Sequence, residues 1–169
     1  MSILWTYFPK NREIPNNLNN MIEIFCENIS RIDSNNNTLS SDEVLGVIAG
    51  ALERKGYKVE KSKKREDKIR VPALYGECGK IELAFEVDAY HQNEKIVLEV
   101  EAGRAVTNYQ FLKDLFEACM MQNVEYLCIA VRIIYGRNKD YSKVCDFMNT
   151  MFLSNRFNIP LKGILIIGY

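Results

Sequence analysis

Two apolar segments, residues 81–91 and 96–101, place the strongest constraint on how this chain folds. The odd-numbered residues from Ile81 to Ala89 are all apolar, which is the period-two alternation of a strand with one buried face. The polar sequence HQNEK between the segments indicates a hairpin loop. The opposite face of the predicted hairpin carries the acidic residues Glu82, Glu86, Asp88, Glu99 and Glu101.

The register of this hairpin decides which carboxylates meet. A loop with an even number of residues places Asp88 across from Glu99, and Glu86 across from Glu101. Because directly opposed like charges destabilise a sheet, we expect a positive group between them, and Mg2+ suits carboxylates that converge from neighbouring strands. The simpler alternative is a solvated face whose acids serve solubility. Such faces normally mix charge signs, whereas no Lys or Arg interrupts this one before Arg104.

The remaining patterns predict an α/β fold with a mixed central sheet flanked by helices. The elements follow the order α, α, β, β, β, α, β, α, β, without an internal repeat. We predict a single domain with an N-terminal helical extension (1–39), a core (40–134) and a C-terminal helix and strand (135–169). Helices are predicted at about 15–32, 42–55, 106–122 and 139–153, and further strands at 125–134 and 162–169. Ser40 and Glu43 have capping-box spacing at the start of the second helix.

Composition excludes several classes of protein. The 22 basic and 22 acidic side chains cancel, so net charge indicates no partner. Five cysteines without a CxxC pair and one histidine argue against a zinc site or a disulfide framework. The sequence has no long apolar run and no signal peptide pattern, so we expect a reduced, cytoplasmic protein without a membrane partner.

The acidic pattern resembles that of a known enzyme superfamily. Asp88, ten intervening residues and then Glu99-Val100-Glu101 resemble the motif of the PD-(D/E)XK nucleases in their restriction-endonuclease-like form. The resemblance implies an αβββαβ core over residues 40–134. It implies that Asp88 and Glu99 bind Mg2+, with Mn2+ as an alternative ion, and that Glu101 occupies the position usually held by Lys. It also implies an acidic residue from the preceding helix, which is Glu43 or, as a second candidate, Glu53.

The function that this resemblance implies is Mg2+-dependent hydrolysis of DNA phosphodiester bonds by an endonuclease of restriction or defence type, acting as a homodimer. Its catalytic residues would be Asp88, Glu99, Glu101 and Glu43. A glutamate in place of the usual lysine leaves a second reading open, a catalytically inactive nuclease-fold module that binds DNA or a protein. A small regulatory protein with a solvated acidic face is the third alternative.

Basic residues supply candidate contacts to DNA. The segment from Lys58 to Arg70 holds seven basic residues against three acidic ones, and Lys63, Lys64 and Arg65 lie at its centre. Arg104 follows the acidic strand, where it reaches a phosphate or pairs with an acid. Lys113 is either a substitute for the missing motif lysine or a solvent-facing helix residue.

Overall fold

The computed structural model describes residues 2–169. No helix in this range combines the length and apolar character needed to cross a membrane. The helices are Asn16–Ile32 (α1), Ser41–Arg54 (α2), Gln110–Met120 (α3) and Asp140–Ser154 (α4). The strands are Leu4–Phe8 (β1), Lys58–Val59 (β2), Ile69–Tyr75 (β3), Ile81–Val87 (β4), Ala89–His91 (β5), Ile96–Glu101 (β6), Tyr126–Val131 (β7) and Gly163–Gly168 (β8).

Within residues 2–169, six strands form a central sheet in the order β1-β8-β7-β6-β5-β2. The neighbours β6, β7 and β8 are parallel, whereas β1, β5 and β2 pair antiparallel at the two sides. The parallel strands are nearly continuous apolar runs because helices cover both of their faces. The predicted α/β class with a mixed central sheet is therefore confirmed.

The alternation of β6 decides which side of the sheet each of its residues faces. Ile96, Leu98 and Val100 pack in the core beneath α1 and α2. Val97 packs in the other core, beneath α3 and α4. Because successive strand residues point to opposite faces, Glu99 and Glu101 share the side of Val97 and face α3.

The chain between 81 and 91 is not one strand, as the alternation had predicted. It divides at Asp88 into β4, which pairs with β3 in a separate two-stranded sheet, and β5, which joins the central sheet. Glu86 therefore lies opposite Arg70 and not opposite Glu101. The alternation continues unbroken through Asp88, so the sequence shows no sign of the change of partner.

The predicted N-terminal helical extension omitted a strand. Leu4–Phe8 forms β1 and pairs antiparallel with β8 at the edge of the central sheet. Helix α1 packs against α2, and its buried residues Leu18, Met21 and Phe25 belong to the main core. Residues before position 40 thus complete the central sheet and one of its helical layers.

Candidate metal centre

The first two candidate ligands are Asp88, at the junction between β4 and β5, and Glu99 on β6. The register pairs Ala89 with Leu98, as an even hairpin loop predicts, so Asp88 stands one residue further along, beside Glu99. The backbone N–H of Val100 donates a 2.8 Å hydrogen bond to Asp88 Oδ2. This bond fixes the Asp88 carboxylate against β6 at the point where the chain leaves the smaller sheet.

A further carboxylate, Asp114, joins this group from helix α3. The residue is 4% exposed, and its Oδ2 has no hydrogen-bond partner among residues 2–169. Its Oδ1 accepts only a long bond of 3.5 Å from Gln110 Nε2. The sequence contained a signal for Asp114, because it shares the buried helical face of Phe111, Leu115 and Ala118. The predicted site included Lys113 from this helix but not Asp114.

The carboxyl groups of Asp88 and Glu101 are partly buried, and their pKa values are raised. Burial raises the pKa of Asp88 to about 6, despite the hydrogen bond from Val100, and the charge of Glu60 adds to the increase. Burial, followed by the charges of Asp114 and Asp88, raises the pKa of Glu101 to about 8. Asp114 and Asp88 therefore make ionisation of Glu101 less favourable.

Glu99 and Asp114 are affected in the same way. Burial raises the pKa of Glu99 well above its usual range, and the charges of Asp88, Asp114 and Glu101 contribute. Burial raises the pKa of Asp114 to about 7. A divalent cation beside Asp88 and Glu99 would offset the repulsion among these carboxyl groups.

Two cationic side chains border the group without pairing directly with it. Lys113 forms an ion pair of 3.1 Å with Glu117, and its charge lowers the pKa of both Glu99 and Glu101. Burial alone would lower the pKa of Lys113, but its hydrogen bond to Glu117 and the surrounding acids raise it. The charge of Arg104 also acts on Glu101. Within residues 2–169, neither cation approaches the four carboxylates to ion-pair distance.

A cleft of about 440 Å³ opens beside Glu101 at the carboxyl end of β6. Lys63, Arg104 and Asp42 line it together with Glu101. The backbone N–H of Ala102 donates to Ser41 Oγ over 3.0 Å, which ties the end of β6 to the start of α2. Glu101 is thus the member of the carboxylate group that borders this cleft and its basic side chains.

The turn after Glu101 requires a glycine. Gly103 has φ +135°, and a Cβ atom at this position would lie 2.5 Å from the ring of Tyr135. Both the left-handed conformation and the close approach exclude other residues. The glycine lets the chain bend directly after β6, which places Arg104 on the cleft.

The basic segment contributes to the cleft through one residue. Lys63 Nζ lies 2.8 Å from Asp42 and 3.1 Å from Glu60, so an acidic pair holds it in place. Lys64 and Arg65 are exposed, make no ion pair within the described range 2–169, and lie outside the cleft lining. Of the three central basic residues, only Lys63 is brought to the candidate site.

The fourth predicted catalytic residue, Glu43, does not line the cleft, and its carboxylate takes part in a helix cap. Its carboxylate accepts hydrogen bonds from the Ser40 backbone N–H (2.7 Å) and from Ser40 Oγ (2.8 Å), which completes the predicted capping box of α2. The Ser40 bonds lower the pKa of Glu43, in contrast to the raised values of the buried group. Its neighbour Asp42 is the acid of α2 that lines the cleft and acts electrostatically on Asp88.

The position of Glu43 gives a specific expectation for a Glu43→Gln variant. Glutamine also completes a capping box, so we expect the melting temperature and any metal-dependent activity to equal those of the wild type. Circular dichroism melting and a nuclease assay would check this. A loss of activity without a loss of stability would contradict the structure and restore Glu43 to the catalytic group.

Comparisons with known proteins do not indicate a function for this chain. No family model matches the chain, and no curated protein matches it. Among residues 2–169, no group of three or more His, Cys, Asp or Glu side chains is spaced to hold a metal ion by itself.

Proposed function

We propose that this chain is a Mg2+-dependent endonuclease that hydrolyses DNA phosphodiester bonds, of restriction or defence type, with a restriction-endonuclease-like core over residues 40–134. The observation that carries the proposal is the group of Asp88, Glu99, Glu101 and Asp114. Asp114 is buried, the other three carboxylates are partly buried, Glu101 borders the cleft, and none of the four has a paired cation within residues 2–169. Such clustering of perturbed acids is typical of catalytic sites.

In this proposal Asp88 and Glu99 hold Mg2+, with Mn2+ as an alternative. Mg2+ commonly binds through one or two protein carboxylates and retains several waters. When bound, the ion lowers the pKa of water and offsets charge on a phosphoryl oxygen. Glu101, at the edge of the cleft, orients the attacking water and accepts its proton. Asp114 supplies a further acceptor from α3, through its unpartnered Oδ2.

The cationic side chains would position the DNA. Arg104 and Lys63 line the cleft next to Glu101, where a phosphate would lie. Lys113 brings a positive charge close to Glu99 and Glu101, which supports its role as substitute for the motif lysine. Lys64 and Arg65 are exposed and extend the phosphate-binding surface away from the cleft. Cleavage of both strands would use a homodimer, in line with the symmetry of duplex sites.

The second candidate function is an inactive nuclease-fold module that binds DNA or a protein. Glu101 at the usual lysine position favours it, since that substitution removes a cation from the proposed catalytic group. The two candidates share the fold and the cleft. They differ in whether a phosphodiester bond is cut.

The test is incubation of supercoiled plasmid and of single-stranded DNA with purified protein in Mg2+, Mn2+ or EDTA. We expect cutting with either metal and none with EDTA. An Asp88→Asn variant should cut at least about 10²-fold more slowly than the wild type, because a metal ligand is lost. Asp146→Asn, an exposed carboxylate on α4, is the matched control and should cut as the wild type does.

Two other outcomes would replace the proposal. DNA binding without cutting under any metal would favour the inactive module. If the protein binds no DNA and its melting temperature does not respond to Mg2+ or Mn2+, it is neither a nuclease nor an inactive nuclease-fold module that binds DNA.

A further inference from the structure

A second cleft lies between the two sheets, separate from the cleft beside Glu101. It has a volume of about 340 Å³, within the roughly 300–1,000 Å³ of small-ligand sites. Its walls are one side of β3, the strands β2 and β5, and the loop that follows α3. We call it the tyrosine groove, because Tyr75 and Tyr90 line it together with Lys58, Arg70 and Gln122.

The two tyrosines give the groove aromatic surface. Tyr75 lies at the end of β3 and is 54% exposed, so its ring is open to a ligand. Tyr90 is partly buried on β5, and its cross-strand partner on β2 is Lys58. An aromatic ring and an ammonium group are therefore placed side by side along one wall of the groove.

Two of the three cations that line the groove, Lys58 and Arg70, have no acidic partner among residues 2–169, whereas the third, Lys68, is paired. Lys58 and Arg70 are exposed and form no ion pair in this range. Glu86 stands opposite Arg70 on β4, yet its carboxylate lies 3.5 Å from Lys68 Nζ. Lys68 is also held at 2.8 Å by Glu60. The local acids thus engage Lys68 and leave the charge of Arg70 available to an anionic ligand.

Gln122 gives the groove a fixed polar group. Its backbone N–H donates to the carbonyl of Pro72 over 2.7 Å, and its Nε2 donates to the carbonyl of Ala73 over 3.2 Å. These two bonds attach the loop after α3 to the outer edge of β3. They also orient the side chain, and Oε1 remains as an acceptor on the wall of the groove.

We propose that the tyrosine groove binds one unstacked nucleotide of a nucleic-acid strand. The base stacks on Tyr75, Arg70 and Lys58 contact the adjacent phosphates, and Gln122 Oε1 accepts a hydrogen bond from the edge of the base. Exposed aromatic rings combined with unpaired cations are the usual means of holding single-stranded nucleic acid. The inference rests on the proposed function and deepens it, since it assigns an unpaired segment to the substrate and gives that segment a binding site.

The test measures binding by fluorescence anisotropy in EDTA, where no cutting takes place. The probes are a labelled oligothymidylate and an oligomer of abasic deoxyribose phosphates of the same length. We expect wild type to bind the oligothymidylate about tenfold more tightly than the abasic oligomer, from stacking on one ring. Tyr75→Ala should abolish this preference. Arg70→Ala should keep the preference, weaken binding of both oligomers, and reduce the salt dependence by about one phosphate contact.

Matched controls separate these effects from a general loss of structure. Leu74→Ala removes a neighbour of Tyr75 that is equally exposed, at 54%. Leu74 does not line the groove. Arg31→Ala removes an exposed arginine from α1, outside the groove. Both controls should bind as the wild type does, and all four variants should keep its melting temperature because the replaced side chains are exposed.

Unaltered binding in Tyr75→Ala and Arg70→Ala would overturn the inference, as would a wild type that binds neither oligomer. The plasmid assay on the same variants distinguishes this failure from failure of the proposed function. If the wild type cuts DNA with metal and the groove variants bind as the wild type does, only the proposed nucleotide binding in the tyrosine groove is overturned. If Tyr75→Ala loses the base preference and the wild type does not cut DNA with any metal, only the proposed nuclease activity is overturned.

Discussion

Glu99→Gln is expected to abolish metal-dependent cleavage and at the same time to stabilise the metal-free protein. Loss of a carboxylate that holds the ion should reduce the cleavage rate by about 10²- to 10³-fold or more. The same change removes a buried carboxyl group whose ionisation Asp88, Asp114 and Glu101 oppose. Without metal at about pH 8, we expect the free energy of unfolding to rise by about 1–3 kcal/mol.

Cleavage assays and urea denaturation of the same samples would measure both effects. Glu43→Gln is the matched control, because it makes the same chemical change at a carboxylate that already has its hydrogen bonds. A Glu99→Gln variant that loses both activity and stability would show Glu99 to be a structural residue. Wild-type cleavage by Glu99→Gln would remove Glu99 from the site.

The metal-free protein is expected to lose stability as pH rises, and Mg2+ is expected to restore it. In the folded chain the pKa is about 6 for Asp88, about 7 for Asp114 and about 8 for Glu101. Ordinary carboxyl groups have a pKa of about 4 in unfolded chains. Between these limits the folded state retains protons that the unfolded state has released, so its stability falls with rising pH.

We expect the free energy of unfolding in EDTA to fall by several kcal/mol from pH 5 to pH 8, with an upper bound of about 8 kcal/mol, measured by urea titration. At pH 8, Mg2+ at about 100 times its Kd should raise the free energy of unfolding by about 2.7 kcal/mol. Acids with a lowered pKa, such as Asp33 and Glu125, are ionised in both states across this range and do not oppose the trend. Glu101→Gln should reduce the slope. Stability that rises with pH in EDTA would contradict the buried carboxylate group.

Local features of the chain could be predicted from the sequence because their causes lie within a few residues. The capping box of Ser40 and Glu43 depends on a spacing of three residues, and the structure forms it as predicted. The hairpin register that brings Asp88 beside Glu99 depends on loop length, and it too is confirmed. The α/β class followed from periodicities that are properties of single strands and helices.

The tertiary structure decided which of these local features meet. Asp114 joined the site because α3 packs against β6, while Glu43 was excluded because its own helix cap uses its carboxylate. Glu86 left the acidic face when the chain changed sheets at Asp88, and the tyrosine groove formed between the two sheets that resulted. The sequence by itself determined the register of β5 on β6, the capping box and the acidic face of β6, because each depends on neighbours along the chain. Only packing between distant elements determined which carboxylates are buried together.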